Sequence, residues 1–357
     1  MRIQGGAAQP SYGPNRQFVR LGLRDEHKRL GIGEASPLPP FAADVASALA
    51  VLLGEALPNL ATTRDDLSPR EAVAAALVPV ERALAPYPAA RFAAETALFD
   101  VVGLRRGLSV AACLAGADRL ATVPTNALLD ASAPDLVERA RGFAEAGLHA
   151  VKVKLRARDE AGFARELAAL RALRKTLPPP FELRLDPNGA WTIPEAQEKL
   201  VRLAEVAPRY VEQPVPAALL PDLGPAAVPW AADESLLLPG MAERLARAAG
   251  CAAFILKPAA LGGLDRALAV AAIGAEAGLD LVVTHFADGP VGLAAAAELA
   301  RALPKPPLAC GLEPHAGLST YPAMAIPQRG RSGTVREAAL PGLGFSEEAR
   351  NRWITTD

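Results

Sequence analysis

The stretch AVKVKL at residues 150–155 alternates apolar side chains with two lysines, Lys152 and Lys154. Alternate side chains of a β-strand point to opposite faces, so the two lysines share one face and the apolar residues share the other. If the apolar face packs against helices, both lysines point into a closed interior; a solvated edge strand is the alternative. Two ammonium groups about 7 Å apart in such an interior repel each other. We expect this repulsion to lower the pKa of at least one lysine, which would make it a base near neutral pH.

Eight apolar runs of this kind alternate with longer segments that are rich in Ala, Leu, Arg and Glu and have helical spacing. The runs are ATVPTNALL (121–129), HAVKVKL (149–155), FELRLD (181–186), RYVEQP (209–214), PWAADES (229–235), AAFILKP (252–258), LDLVVTH (279–285) and PLACGLE (307–313). Alternation of strand and helix implies parallel strands, and eight such units in succession predict an α/β barrel of the TIM type. The pattern assigns the barrel to residues 121–320, an α+β domain with its own core to residues 1–120, and a non-barrel tail to residues 321–357.

Three acidic residues each close one of three consecutive predicted strands: Asp186, Glu212 and Asp233. Barrel active sites lie at the carboxyl ends of the strands, and neighbouring strands lie about 4.8 Å apart, so the three carboxylates can converge. Their mutual repulsion would be relieved by one hard divalent cation. An all-oxygen set with room for water suits Mg²⁺, and Mn²⁺ is the other candidate. The alternative is that each carboxylate caps a helix or pairs with an arginine.

The next predicted strand ends in Lys257, which faces inward if Ile255 does. The barrel would then hold Lys154 on one side, Lys257 on the far side and a metal ion between them. This arrangement suits removal of a proton next to a carboxylate, since a metal stabilises the negative charge that develops in the transition state. Lys257 could be a second acid or base, or could stabilise the intermediate electrostatically.

The composition excludes several other classes of protein. A formal net charge of −1 gives no reason to expect nucleic acid or an anionic membrane as partner, and no apolar run is long enough to span a bilayer. Three separated cysteines and four histidines argue against a thiolate zinc site and a disulfide framework. The N-terminus lacks the apolar core of a signal peptide. We therefore expect a soluble cytoplasmic protein that acts on a small-molecule carboxylate; its oligomeric state stays open.

The motifs Lys-x-Lys, Asp-x-Asn, Val-Glu-Gln-Pro, Asp-Glu-Ser and Leu-Lys-Pro at the ends of strands two to six together resemble the muconate-lactonizing subgroup of the enolase superfamily. Residues 33–39 and 340–344 resemble the first-domain loop and the C-terminal segment of that family. The resemblance implies a modified TIM barrel, (β/α)7β, with an α+β capping domain that both chain ends form and whose loops cover the substrate. It also implies a role for each charged residue. Asp186, Glu212 and Asp233 would bind Mg²⁺. Lys154 would abstract the proton with help from Lys152, and Lys257 would lie on the other side of the substrate.

Within the subgroup, the stretch GEASPLPPF (33–41) and the spacing Arg-x-Asp-x-Asn at residues 184–188 are most similar to o-succinylbenzoate synthases of menaquinone biosynthesis. An N-succinylamino-acid racemase and a muconate cycloisomerase remain alternatives because they share the proton abstraction, and a non-catalytic binding barrel is a remote one. The residues expected to contact the substrate are Arg184, Asn188, His285, Gly289 and Ser36. Relatives of mandelate racemase place a catalytic histidine at the position of His285, but they pair it with an aspartate where this chain has Lys257. We therefore favour His285 as a residue that lines the pocket or donates a hydrogen bond. Substrate choice is expected to lie in the loops at residues 13–17 and 36–41 and in the loop after strand seven.

Overall fold

The structure is a computed structural model that describes residues 3–12, 17–37, 46–60, 64–321, 323–328 and 333–355. Its strands are β1 (Ile3–Tyr12), β2 (Gln17–Asp25), β3 (Leu30–Ala35), β4 (Thr122–Pro124), β5 (Ala127–Asp130), β6 (Ala150–Lys154), β7 (Glu182–Asp186), β8 (Val211–Glu212), β9 (Trp230–Ala232), β10 (Cys251–Leu256), β11 (Asp280–Val283) and β12 (Thr334–Arg336). Its α-helices are α1 (Ala46–Ala56), α2 (Pro69–Leu77), α3 (Glu81–Leu84), α4 (Pro88–Arg106), α5 (Val110–Ala115), α6 (Leu136–Glu145), α7 (Glu160–Thr176), α8 (Ile193–Leu203), α9 (Met241–Ala246), α10 (Pro258–Leu261), α11 (Leu264–Glu276), α12 (Pro290–Arg301) and α13 (Glu347–Thr355).

The barrel is one parallel sheet in which β5 to β11 follow each other in chain order. Helices such as α7 and α8 connect the strands and cover the outside. Helix α8 starts at a capping box in which Thr192 and Glu195 satisfy each other's backbone N–H groups. The prediction of an α/β barrel of the modified TIM type is confirmed.

The eighth predicted strand is much shorter than the apolar run 307–313 suggests. Within this run only Cys310 and Gly311 form β-bridges. Cys310 pairs with Thr125, just before β5, and Gly311 pairs with Thr284, just after β11. Cys310 donates its N–H to the carbonyl of Pro124 over 2.7 Å, and Gly311 donates to Val283 over 2.9 Å. Because Val283 belongs to β11 and Pro124 leads into β5, these two residues close the barrel.

The first predicted strand, residues 121–129, is also different: it is split in two. Its first part is β4, which pairs antiparallel with β12 from the C-terminal tail, and its second part is the barrel strand β5. Pro124 ends β4, and proline has no N–H to continue a ladder, so the chain changes partners at this residue.

The N-terminal region forms an antiparallel sheet in the order β1-β2-β3, which packs on the long helix α4. Helix α4 has 19 residues, and 15 of them are buried, which fits a helix covered on nearly all sides. The C-terminal helix α13 returns to this sheet and contacts β2 and β3. Both chain ends therefore contribute to one α+β unit beside the barrel. We call this unit, formed by the described parts of residues 1–120 and 321–357, the capping unit.

Within the described ranges, no helix is both long enough and apolar enough to cross a bilayer.

Candidate active site

Strand register brings the charged residues of the barrel to one end. Lys154 lies directly opposite Asp186 across the parallel pair β6–β7. Glu212 ends β8, and Asp233 follows β9, the next strand in the sheet. All three carboxylates are at most 3% exposed, and Lys257 is 8% exposed. The five groups that the sequence analysis placed at one mouth of the barrel therefore lie together there.

The two lysines of β6 are held by carboxylates. Lys154 Nζ lies 2.5 Å from Asp186 Oδ2 and donates to Asn188 Oδ1 over 2.7 Å. Lys152 Nζ lies 2.9 Å from Asp186 Oδ2 and 2.6 Å from Glu212 Oε1, so it bridges the two acids. Asp186 is therefore paired with two ammonium groups. Glu212 is paired only with that of Lys152, which also contacts Asp186.

Lys257 approaches from the opposite wall. Its Nζ contacts Asp233 Oδ2 and lies 3.9 Å from a carboxylate oxygen of Glu234. The same nitrogen lies 4.5 Å from the centre of the Phe286 ring, which is within the range of a cation–π interaction. The ammonium group is therefore fixed between an acid and an aromatic ring.

The pKa values show how unevenly the positive charge is shared. Burial alone would raise the pKa of Asp186, but Lys152 and Lys154 lower it well below its ordinary value. Burial and then the negative charge of Asp186 raise the pKa of Glu212 to about 8, against the opposing effect of Lys152. Burial also raises the pKa of Asp233, although Lys257 opposes it. Glu212 and Asp233 are therefore short of positive charge in this arrangement.

The expected effect of the lysine pair on its own pKa values is wrong at Lys152. Burial lowers the pKa of Lys152, but the charges of Asp186 and Glu212 outweigh burial and raise that pKa well above its usual range. The pKa of Lys257 is also raised, because its acidic neighbours likewise outweigh burial. The repulsion between the two ammonium groups is outweighed by the carboxylates that face them on β7 and β8, which the residue pattern of β6 alone does not show.

The donor set fits a divalent cation chemically, but it is not preassembled. Across the part of the chain that the structure describes, no group of three or more His, Cys, Asp or Glu side chains is arranged to hold a metal ion. Each of the three carboxylates contacts a lysine instead. A divalent ion would supply the charge that Glu212 and Asp233 lack, and oxygen ligands on adjacent strands are of the type that Mg²⁺ prefers. The lysines contact one oxygen of each carboxylate, namely Asp186 Oδ2, Glu212 Oε1 and Asp233 Oδ2, so the second oxygen of each remains to bind such an ion.

A cleft of about 740 Å³ opens above these residues. Its walls include the three lysines and, of the residues predicted to contact substrate, Asn188 and His285. The ring of His285 stacks on that of His315 with 4.9 Å between the ring centres. Asn188 adopts a left-handed backbone conformation (φ 53°), which Asn tolerates, and its N–H donates to Asp186 over 2.9 Å.

Arg184 does not reach the cleft, so its predicted contact with the substrate needs correction. It is 1% exposed, it contacts Glu182, and it donates to the carbonyl of Ala309 over 2.5 Å. Arg184 has the same parity as Asp186 but lies two residues earlier on β7, which places it one layer deeper in the barrel. It is part of the packed interior.

Ser36 and Gly289 do not line the cleft either. Ser36 is buried and donates to Glu34 Oε1 over 2.6 Å. A Cβ on Gly289 would come within 2.4 Å of Tyr321 and 2.6 Å of Glu34, so this residue is glycine because other side chains approach its backbone. Both positions belong to the contact between the capping unit and the barrel. The loops at 13–16 and 38–41, predicted to select the substrate, lie outside the described residues.

Several residues at the site were not singled out by sequence reasoning. Those that line the cleft include Asn126, Arg139, Arg156, Glu234, Phe286, Glu313 and His315. Gln213 lies beneath it: its Oε1 accepts from the backbone N–H of Asp233 over 3.0 Å, and it has a left-handed backbone with φ 40°. Its place directly after Glu212 was a usable signal, since it stands in the quoted run RYVEQP. Phe286 and His315 lie in loops whose conformation no periodicity predicts.

Comparison with known proteins agrees with this geometry. The family model described as enolase C-terminal domain-like matches residues 135–349, a range that contains the three lysines and the three carboxylates. The chain belongs to the enolase superfamily. It is an enzyme of this superfamily, whose members bind a divalent metal ion.

Two curated relatives and one solved structure illustrate the range of superfamily members that this chain resembles. An o-succinylbenzoate synthase of Thermobifida fusca is 38% identical over 195 residues, which is 54% of this chain and 59% of that protein. The chloromuconate cycloisomerase CbnB of Cupriavidus necator is 31% identical over 321 residues, 84% of each chain. The structure of a dipeptide epimerase of Methylococcus capsulatus in complex with a Mg ion aligns with a TM-score of 0.79 and 27% identity, over 96% of this chain and 99% of that one.

Proposed function

We propose that this enolase-superfamily enzyme is an o-succinylbenzoate synthase of menaquinone biosynthesis. It would remove water from 2-succinyl-6-hydroxy-2,4-cyclohexadiene-1-carboxylate and form 2-succinylbenzoate. The observation that carries the proposal is the position of Lys154 and Lys257 on opposite walls of one cleft, with three buried carboxylates between them. Such a site can hold a planar carboxylate between a base and a cation.

The charges around the cleft suit a substrate with two carboxylates. Five cationic side chains line it, and Glu234 and Glu313 are its acidic ones. The cationic residues are Lys152, Lys154, Lys257, Arg139 and Arg156. The first three lie deep and the two arginines lie towards solvent, so one carboxylate can bind at each depth. This supports a dianion such as the proposed substrate.

In the proposed reaction Lys154 Nζ takes the α-proton and returns it to the departing hydroxyl group, so that water leaves from the same face. Lys154 Nζ accepts the proton as a neutral amine, so it must first lose one of the protons that it donates to Asp186 and Asn188. Lys257 stays protonated and faces the ring from the other side as a cation. A divalent ion bound by the three carboxylates would stabilise the negative charge that develops on the substrate carboxylate. Lys152 would contact that carboxylate or hold the base in place.

The sequence after β11 and around Gly311 supports the synthase over a dipeptide epimerase. The segment that closes the barrel reads CGLE at residues 310–313 and lacks the Asp-x-Asp with which epimerases hold a substrate amine. The 38% identity to the Thermobifida fusca synthase points the same way, although the match spans only about three fifths of that protein. A second candidate is a muconate cycloisomerase, because CbnB matches over 84% of its length.

A direct assay tests the proposal. The purified enzyme with Mg²⁺ is mixed with the cyclohexadiene acid, and ultraviolet absorbance follows aromatisation of the ring. We expect turnover in the wild type and in Lys175→Ala, which changes an exposed lysine on α7, and turnover lowered at least about 100-fold in Lys154→Ala. No aromatisation by the wild type would refute the synthase. Loss of cis,cis-muconate absorbance would then identify a cycloisomerase, and α-deuteration with racemisation of an N-succinylamino acid in heavy water would identify a racemase.

A further inference from the structure

The loop between β11 and α12 carries the ring that covers Lys257. Phe286 lies three residues after β11, and its ring centre is 4.5 Å from Lys257 Nζ. The ammonium group also contacts Asp233, and a carboxylate oxygen of Glu234 lies 3.9 Å away. A lysine side chain is flexible, and these two acids are neighbours in the sequence, so the ammonium group can still move between them. The Phe286 ring restricts this motion because it adds an attractive contact from a different loop.

Glu34 of the capping unit binds the end of this loop. Glu34, at the end of β3, is 1% exposed and accepts hydrogen bonds from three backbone N–H groups where α12 begins. These belong to Gly289, to Val291 at 3.2 Å and to Gly292 at 3.1 Å. A carboxylate at a helix N-terminus is stabilised by the free N–H groups and by the helix dipole. Glu34 thereby fixes the end of the loop that Phe286 occupies.

A second contact holds the middle of the loop. The hydroxyl of Tyr321 lies 3.2 Å from the carbonyl oxygen of Ala287 and 3.2 Å from Ser36 Oγ, which in turn donates to Glu34. Ala287 adopts a left-handed backbone with φ 52°, which is unfavourable for a residue with a Cβ. A strained residue keeps its conformation only where the surrounding contacts impose it. The capping unit therefore determines the conformation of the residue next to Phe286.

We propose that Phe286 is a positioning residue that holds the ammonium group of Lys257 through its ring, and that Glu34 acts on the reaction by holding Phe286. This inference depends on the proposed function in one respect only, namely that Lys257 takes part in turnover. It gives the capping unit a direct mechanical connection to one catalytic group. It also explains why Glu34, Ser36 and Gly289 lie at the domain contact and not in the cleft.

The test compares four variants with a matched control. Phe286→Leu removes the ring, Phe286→Tyr keeps it, Glu34→Gln removes the negative charge, and the double variant combines Phe286→Leu with Glu34→Gln. Glu298→Gln is the control: Glu298 is also a fully buried carboxylate at the domain contact, and it accepts from the N–H of Ala111 at the start of α5. Tyr321→Phe is a milder change in the same network, in case Glu34→Gln does not fold.

We expect Phe286→Leu and Glu34→Gln each to lower kcat about 10-fold, with KM changed less than about twofold. Phe286→Tyr should recover at least half of the wild-type kcat. If Glu34 acts through Phe286, the double variant should be no slower than the slower single variant, whereas independent effects would multiply to about 100-fold. Glu298→Gln should unfold at a lower temperature with an unchanged kcat. Tyr321→Phe should lower kcat by a smaller factor than Glu34→Gln.

A readout without substrate separates this inference from the proposed function. An amine-reactive imidoester modifies accessible lysines, and mass spectrometry of the Lys257 peptide gives its rate in the folded enzyme with Mg²⁺. We expect this rate to rise several-fold in Phe286→Leu and in Glu34→Gln, and to stay at the wild-type value in Glu298→Gln. Equal rates in all variants would overturn the inference even if the wild type proves to be a synthase. A raised rate in an enzyme that does not dehydrate the cyclohexadiene acid would refute the synthase alone.

Discussion

Buried carboxylates occur in two regions of this enzyme, and the two groups are satisfied in different ways. At the mouth of the barrel, Asp186, Glu212 and Asp233 contact lysine ammonium groups. Inside the capping unit and where it meets the barrel, buried acids contact backbone N–H groups and arginines. Glu95, for example, caps the N-terminus of α11 through Leu264 N.

Asp100 shows the second kind of pairing most completely. One of its oxygens accepts from the N–H of Ile32 over 2.9 Å, and the other accepts from Leu343 over 2.7 Å. Both oxygens also contact the guanidinium group of Arg350 on α13, so that three separate parts of the chain meet at one side chain. Backbone N–H groups cannot move away without unfolding, and the planar guanidinium group binds both oxygens at once.

The difference separates structural from functional acids. A carboxylate held by backbone donors has a permanent partner, whereas a carboxylate held by a lysine can exchange it for a metal ion or a substrate. The raised pKa of Glu212, about 8, fits this reading because it marks a site where positive charge is still lacking. No comparable exchange is open to Asp100, whose partners are fixed by the fold.

The largest expected effect is on turnover and comes from the mouth of the barrel. Lys154→Ala removes the proposed base and should lower kcat by about 10²–10⁴-fold, the usual contribution of general base catalysis. Its melting temperature should stay close to that of the wild type, since Lys152 still neutralises the buried carboxylate of Asp186. Stopped assays at high enzyme concentration, with differential scanning fluorimetry on the same samples, measure both. Near-normal turnover would exclude Lys154 as the base.

The next largest effect is expected on stability and comes from the inside of the capping unit. Asp100→Asn leaves the buried charge of Arg350 without its partner, which typically costs about 3–5 kcal/mol. The urea midpoint should fall accordingly, while kcat at low temperature should stay within about twofold of the wild type. An Asp100→Asn enzyme that is stable but inactive would contradict the division between structural and functional acids.

The sequence alone was sufficient to place five charged side chains at one mouth of the barrel. Lys152 and Lys154 were placed on one face by the two-residue period of a strand. Asp186, Glu212 and Asp233 were placed together because parallel strands end at the same edge. The side-chain period gives the face of a strand but not the depth, which is why Arg184 was assigned to the cleft although it lies below it.

The contact between the two units could not be predicted in the same way. Glu34 was recognised as part of a motif, but its partners at Gly289 and Gly292 are about 255 residues further along the chain. No local pattern reports such a pairing. The shortened eighth strand was missed for a related reason: an apolar run shows where a strand can form, whereas its length depends on which neighbours have free N–H and C=O groups.

A smaller effect is expected from the metal ion. If the mouth carboxylates bind Mg²⁺, the ion binds only the folded enzyme and should stabilise it by about 2.7 kcal/mol at 100 times its Kd. A rise in melting temperature with added Mg²⁺, reversed by EDTA, is the measurement. Asp186→Asn should lose most of this rise, and Asp100→Asn should keep it. An equal rise in both variants would place the metal elsewhere.

The smallest effect is expected at a helix start that is exposed. Thr192 and Glu195 cap α8 in the same manner as Glu34 caps α12, with a side-chain oxygen on a backbone N–H, but at the surface and within one segment. Water can replace the lost hydrogen bond there, so Thr192→Ala should lower the free energy of unfolding by about 1 kcal/mol and leave kcat unchanged. Urea titrations of the wild type, Thr192→Ala and Thr192→Ser measure it, with Ser expected to retain most of the stability. If Thr192→Ala cost as much stability as Asp100→Asn, an exposed cap within one segment would be as costly to lose as a buried acid that joins distant segments. Burial and the joining of distant segments would then not explain the importance of Asp100.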